Sequence, residues 1–121
     1  MIELRKEINR GLKQYTGLNV YLPYQELNGE LQFPLITLEM QVADSRQNLN
    51  HKVMSYSITF DIYLYANSVE ELLNNTKVKE YFYSLGMRCS YESQPSKSHH
   101  WYRQYQFQCE LQVKNDNYII L

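Results

Sequence analysis

Two long stretches of the chain alternate strictly between apolar and polar residues. In residues 54–64 the apolar positions are Met54, Tyr56, Ile58, Phe60, Ile62 and Leu64, with Ser, Thr, Asp and Tyr between them. In residues 104–113 Gln and Glu alternate with Tyr105, Phe107, Cys109, Leu111 and Val113. A period of two is typical of a strand with one buried and one solvated face. The pattern therefore predicts an antiparallel sheet that is covered on one side.

Residues 2–16 instead have the spacing of an amphipathic helix, with an apolar stripe formed by Leu4, Ile8, Leu12 and Tyr15. Gly17 is placed to end this helix in a left-handed conformation. Gly11 lies inside it, where glycine costs about 1 kcal/mol relative to alanine. We interpret Gly11 as a point of close approach between the helix and the sheet.

A second helix is predicted over residues 69–85. Ser68 and Glu71 have the spacing of a capping box, in which side chains satisfy the first N–H groups of a helix. The apolar stripe is interrupted around Thr76, and Gly86 is placed to end the helix.

The remaining segments predict shorter strands and loops. Residues 18–24 alternate and form a short strand, which Pro23 confines to a sheet edge or to the strand's end. Residues 25–33 form a loop, and Pro34 opens a strand whose inward residues are Ile36, Leu38, Met40 and Val42. Residues 44–51 are polar without a period, which predicts a long hairpin loop.

Toward the C-terminus the sequence predicts a strand over 87–92 and a loop over 93–98, before the second long alternating strand. The tail, residues 115–121, ends in an apolar run that needs a cover. The element order is thus α-β-β-β-α-β-β. It predicts one α+β domain over residues 1–121, with two layers, a single mainly antiparallel sheet and two helices on one face.

Composition narrows the function. The chain has 12 basic and 13 acidic residues, and no basic cluster of the kind that neutralises phosphates, so nucleic acid is not an expected tight partner. No apolar run reaches the roughly 20 residues needed to cross a bilayer, and the first residues do not form a signal peptide. Twelve tyrosines supply large contact areas with polar tips, which suits protein interfaces, although strands also favour aromatic residues.

Candidate catalytic and metal-binding groups are sparse. His51, His99 and His100 all fall in predicted loops, and the two adjacent histidines point to opposite sides of an extended chain. Cys89 and Cys109 are far apart in strand-like segments, which indicates two reduced, half-buried thiols rather than zinc ligands. The sequence predicts no metal site and no cofactor.

Two carboxylates are candidates for an acid–base pair. Asp61 and Glu39 both lie on the wet faces of their strands, and they become neighbours if those strands pair. Arg46 or Arg103 nearby would turn them into an ordinary surface network. An acid–base couple needs burial to shift its pKa. The prediction is therefore that the protein is not an enzyme.

The element order and two short motifs resemble a known family. Phe33-Pro34-Leu35-Ile36 opens the second strand, and a long strand runs through Ala66-Asn67-Ser68 into a capped helix. Over nearly the whole chain this is similar to the tail-terminator and tail-completion proteins of siphovirus-type bacteriophages, which are also described as minor capsid proteins. The long, Gln-rich C-terminal strand departs from that pattern.

The resemblance implies a structural protein of the virion tail or neck, made in the cytoplasm of a bacterial host. Such a protein forms a homohexameric ring that caps the tail tube, ends tube polymerisation and presents a surface to the head–tail connector. Its partners would be other copies of itself, the tail tube protein and the connector protein. DNA would pass through the lumen without specific binding, and a near-neutral chain suits that passage.

We expect the oligomer or tube interface to include six residues: Arg46, Asn48 and His51 at the hairpin tip, with Tyr63, Tyr65 and Arg103 on the sheet. A ring interface needs on the order of 800 Å² per partner. Deleting residues 45–50 is expected to leave a folded monomer that no longer assembles, and a ring unaffected by the deletion would contradict this.

The alternative hypothesis is a stand-alone cytoplasmic α+β domain that binds a small ligand or a protein partner, as immunity-like proteins do. Size-exclusion chromatography with mass measurement separates the two, because a strict monomer with a ligand-sized pocket favours the alternative. A pocket on the outward face of the sheet, lined with converging acids or imidazoles, would count against the assembly hypothesis.

Overall fold

The computed structural model describes residues 2–22, 31–47, 53–114 and 117–120. This part of the chain contains three helices, α1 (Ile2–Thr16), α2 (Val69–Asn74) and α3 (Lys77–Ser84). Its strands are β1 (Val20–Tyr21), β2 (Leu35–Gln47), β3 (Val53–Ala66), β4 (Arg88–Glu92), β5 (Ser96–Lys97), β6 (Trp101–Lys114) and β7 (Asn117–Ile120). The predicted fold class is confirmed, since the molecule is α+β with one mainly antiparallel sheet.

The strands form a single sheet in the order β1-β2-β3-β6-β4, and β5 and β7 also pair with β6. Among the strands described, only β1 and β2 pair in parallel. β3 lies between β2 and β6 and is paired over almost its full length. The predicted loop at 93–98 contains the two-residue strand β5, and the apolar tail contributes β7, which pairs with the end of β6.

The core lies between the helices and one face of the sheet. Most of the described residues predicted to face inward in β3 and β6 are buried, including Phe60 and Phe107, whereas Tyr56 is only partly buried. Phe82 of α3 stacks on Phe107, with ring centroids 4.3 Å apart and planes 11° apart, and its centroid lies 5.7 Å from that of Phe60. Ile8 and Leu12 of α1 also belong to this core. Burial of this aromatic cluster joins α3 to the two central strands.

Gly11 makes its close approach to α3 rather than to the sheet, so that part of the prediction was wrong. A Cβ atom at Gly11 would overlap the ring of Tyr81, coming within 2.9 Å of the Cζ atom. Tyr15, predicted in the buried stripe, is 44% exposed. Its ring packs on Tyr81 at 5.9 Å, and its hydroxyl donates to Glu80 over 3.2 Å. The end of α1 is therefore held by α3.

The second predicted helix is divided into α2 and α3 at the point where its apolar stripe is interrupted. Ser68 Oγ accepts the Glu71 N–H at 3.4 Å, which confirms the predicted cap. Asn75 Oδ1 then accepts the Val78 N–H at 3.5 Å, so a new helix start is stabilised inside the predicted helix. Gly17 and Gly86 have φ angles of 73° and 80°, as the predicted helix ends require.

The hairpin prediction was wrong in its boundaries, because β2 continues to Gln47 and β3 begins at Val53. The ladder passes through register shifts between Asp44, Arg46 and Gln47. Alternating hydrophobicity reports burial of one face rather than strand pairing, so polar residues at the far end of the sheet gave no strand signal. Val42, predicted to face inward, is 41% exposed for the same reason.

Several expectations fall on parts of the molecule that are not described. Asn48 and His51 lie outside the described residues, and the Arg46 side chain is not described although its backbone belongs to β2. The predicted strand at 18–24 is described only as far as residue 22. The deletion of residues 45–50 would also remove the end of β2, and thus part of its ladder with β3.

Candidate functional site

The face of the sheet opposite the helices carries a regular array of polar and aromatic side chains, which we call the open face. Its central strand, β3, contributes Asp61, Tyr63 and Tyr65 at alternate positions. The residues directly across from these three are Glu39, Thr37 and Leu35 of β2 and Gln106, Gln104 and Tyr102 of β6. The antiparallel register thus places tyrosines at one end of the array and two carboxylates at the other.

Tyr63, Tyr65 and Tyr102 form a nearly equilateral triangle on the open face. Their ring centroids are 6.1, 6.1 and 6.2 Å apart. The rings of Tyr63 and Tyr65 lie 21° from parallel, and that of Tyr102 is tilted by about 45° to both. Aromatic pairs at such distances contribute about 0.5–1.5 kcal/mol beyond the burial of their area. The three side chains, each partly buried, form one continuous aromatic surface.

A groove of about 420 Å³ lies over this triangle. Gln104 and the segment from Ser98 to His100 line its remaining walls. The His100 ring packs against Phe33, with centroids 4.4 Å apart, and both histidine side chains are exposed. The groove is open to solvent, and its lining residues include two imidazoles but no carboxylate. Imidazoles alone satisfy the chemical part of the criterion that would count against assembly, whereas the groove is open and both histidine side chains are exposed.

A hydrogen bond connects the groove to the acidic end of the open face. Gln104 Nε2 donates to Asp61 Oδ1 over 3.0 Å, and Glu39 lies directly across the ladder from Asp61, as predicted. Burial raises the pKa of Tyr63, and the charge of Asp61 adds to this shift. Burial also raises the pKa of Tyr65, although a hydrogen bond with Thr37 opposes it. Both phenols thus stay protonated donors at neutral pH.

Arg103 does not lie beside those carboxylates, and this part of the prediction was wrong. It pairs across the ladder with the buried Leu64, so its side chain points to the helix side of the sheet. Its guanidinium contacts Glu92 Oε1 at 2.6 Å and donates to the Ser93 carbonyl at 2.9 Å. It also covers the Tyr105 ring at 5.5 Å. Arg103 thus stabilises the domain and stands apart from Tyr63 and Tyr65.

Glu92 extends this contact into a network between three elements. Its other carboxylate oxygen accepts a hydrogen bond from Lys79 of α3 at 2.8 Å, so both cations share one acid. This bond raises the pKa of Lys79, while burial opposes the shift. The network ties α3 and β4 to β6 along one edge of the core.

The described residues contain no group of three or more His, Cys, Asp or Glu arranged to hold a metal ion. Cys89 and Cys109 are both free thiols, and Cys109 is buried rather than half-buried. Burial raises the pKa of Cys109. At neutral pH this thiol is protonated and packs as a small apolar side chain.

Sequence reasoning identified Tyr63 and Tyr65 but missed Tyr102 and the Ser98–His100 wall. Tyr102 has the same alternation as the outward Gln104 and Gln106, so its face was predictable. Its position beside Tyr65 depends on the pairing of β3 with β6, which the pattern of one strand does not specify.

Comparison with known proteins gives no relative: no family model, curated protein or solved structure matches the chain. The tail-terminator resemblance therefore stays a prediction. Within the described ranges, none of the helices combines the length and the apolar character needed to cross a bilayer.

Proposed function

We propose that this chain is a structural protein of a bacteriophage tail or neck that assembles into a homo-oligomeric ring. The observation that carries the proposal is the three-tyrosine groove on an uncovered sheet face. Tyrosine is enriched in protein interfaces because it offers a large rigid contact area together with a hydroxyl for hydrogen bonding. The surface has the composition of a docking site between proteins.

The long ladder of β2 with β3 supports the same proposal. It continues past the last core residues to Gln47 and Val53, and Val42 on it is 41% exposed. β6 also pairs with β3 as far as Ser55, so this end of the sheet has at least three strands and leaves the apolar Val42 partly in water, which suits contact with another subunit or the end of a tube. In this proposal the ring caps the tail tube, ends its polymerisation and presents its other side to the head–tail connector.

The double substitution Tyr63→Ala and Tyr102→Ala tests this function. Central interface aromatics contribute about 2 kcal/mol or more each, so we expect assembly to weaken at least about 30-fold. The measurement is size-exclusion chromatography with light scattering, with and without tail tube subunits. Tyr83→Ala, at a 50% exposed tyrosine of α3 away from the open face, is the matched control. A double variant that forms rings as well as the wild type would contradict the proposal.

The groove also favours a second candidate, a stand-alone domain that binds a small ligand or a protein partner. Its volume of about 420 Å³ and its two histidines are the supporting observations. Ligand pockets span about 300–1,000 Å³. A protein that stays monomeric at all concentrations and with tube subunits, and whose tyrosine fluorescence saturates with a small molecule, would favour this candidate over the ring.

A further inference from the structure

The outer side of α1 carries three exposed cationic side chains in a single line. Lys6, Arg10 and Lys13 are spaced by four and three residues, so they share one face of the helix. We call this the basic stripe. It borders a concavity of about 440 Å³ that Asn9 also lines. Glu7 is the exposed acid next to the stripe. The local charge is therefore positive on a chain whose formal net charge is −1.

Among the described side chains, the open face carries more acidic than basic residues. Glu39, Asp61 and Glu110 lie on it, and Arg88 is the cation that faces them among the described side chains. Arg88 is engaged with Gln108, donating to its Oε1 at 3.4 Å. Acidic and basic surfaces thus lie on opposite sides of a two-layer domain, since the helices cover one face of the sheet and leave the other open.

We propose that the basic stripe of one copy docks on the open face of the next copy. This inference rests on the proposed ring. The stripe rises about 10 Å from Lys6 to Lys13, and the array on β3 spans about 13 Å from Asp61 to Tyr65. The two surfaces therefore match in length as well as in charge.

The chemistry of the groove assigns a place to the arginine of the stripe. Guanidinium groups stack on aromatic rings and attract their π faces, so Arg10 of one copy fits over the tyrosine triangle of the next. Lys6 and Lys13 lie one turn away on either side, where one of them reaches the carboxylates of Glu39 and Asp61. The contact joins two different surfaces of identical chains, and such heterologous contacts generate rings when the rotation between subunits closes.

Charge reversal tests the docking directly. The first variant is Lys6→Glu, Arg10→Glu and Lys13→Glu, and the second is Glu39→Lys and Asp61→Lys. Each variant alone has two like-charged docking surfaces, so we expect assembly at least about 30-fold weaker than wild type. An equimolar mixture restores charge complementarity at every junction by alternation, although the stacking of Arg10 on the tyrosines is lost at every second junction. We therefore expect the mixture to assemble at least about tenfold more tightly than either variant alone, but less tightly than the wild type. The control reverses Glu70 and Lys77, two exposed residues of α2 and α3.

The outcomes separate this inference from the proposed function. Two results would overturn the docking without affecting the proposed ring. In the first, the wild type forms rings and the reversal variants assemble equally well. In the second, the variants are folded, as circular dichroism shows, but do not recover assembly when they are mixed. A wild type that never assembles, alone or with tube subunits, overturns both. A third result would also overturn the docking. If the wild type binds a short DNA duplex, and the triple variant alone loses this binding while it still assembles, the partner of the basic stripe is nucleic acid.

Discussion

Replacing Phe82 with alanine is expected to lower the free energy of unfolding by about 3–5 kcal/mol. The Phe82 side chain is fully buried and stacks on Phe107 at 4.3 Å, while its other contacts reach Phe60 and Tyr81. Removing the ring leaves a cavity between α3 and the two central strands, which the paired strands cannot collapse to fill. Urea unfolding followed by circular dichroism, with linear extrapolation to water, measures the change.

The matched control for this prediction is Tyr83→Ala, one residue further along α3. The Tyr83 side chain is 50% exposed, so its loss is expected to cost less than about 1 kcal/mol. Phe82→Leu keeps most of the apolar volume and should fall between the two. Equal midpoints for the alanine variants at positions 82 and 83 would show that the aromatic cluster contributes little to stability.

The fold was predictable where burial imposes a period on the sequence. The alternation through Phe60 and Phe107 correctly identified the inward face of both long strands, and the glycines at 17 and 86 correctly marked helix ends. The position of β6 between β3 and β4 was not predictable. Strand order depends on long-range pairing, to which residues near in sequence contribute no signal.

The prediction failed where structure forms without burial or against a local pattern. The end of β2 is polar on both faces, so nothing in its sequence distinguished it from a loop. At Asn75 a side-chain hydrogen bond helps to start a new helix where the apolar stripe is interrupted, and this interruption was interpreted as a gap within one helix. Such caps compete with the helix ladder at energies of about 1 kcal/mol, which a pattern of hydrophobicity does not register.

The candidate site, too, was predictable only in part. Tyr63 and Tyr65 were assigned from the sequence, but the groove exists only because the β3–β6 register brings Tyr102 to them. Arg103 was misplaced although a signal was present, because it shares the alternation of the inward Tyr105. Arg103 was assigned to the outward face because it is charged, although its place in the alternation is an inward one.

Alkaline pH is expected to destabilise the protein steeply, starting near pH 10. Tyr105 is fully buried and Tyr81 is 9% exposed, and burial raises the pKa of both above the ordinary tyrosine value of about 10. The Arg103 charge opposes the shift of Tyr105 in part. Above pH 10 the unfolded chain loses these two protons while the folded chain keeps them, so stability falls as pH rises. Each phenol contributes a slope of about 1.4 kcal/mol per pH unit, roughly 3 kcal/mol together.

Lys79 also contributes stability that is lost at high pH, because Glu92 raises its pKa. Replacing Tyr81 and Tyr105 with phenylalanine separates the effect of the two phenols from that of Lys79. The Tyr105 hydroxyl forms no hydrogen bond to the described residues, and the nearby Arg103 guanidinium opposes the rise of its pKa. We therefore expect Tyr105→Phe to change stability at neutral pH by less than about 1 kcal/mol. Urea midpoints measured between about pH 9 and pH 11 should then fall less steeply in the Tyr81→Phe, Tyr105→Phe double variant than in the wild type. Identical slopes would mean that both phenols ionise as readily in the folded chain as in water.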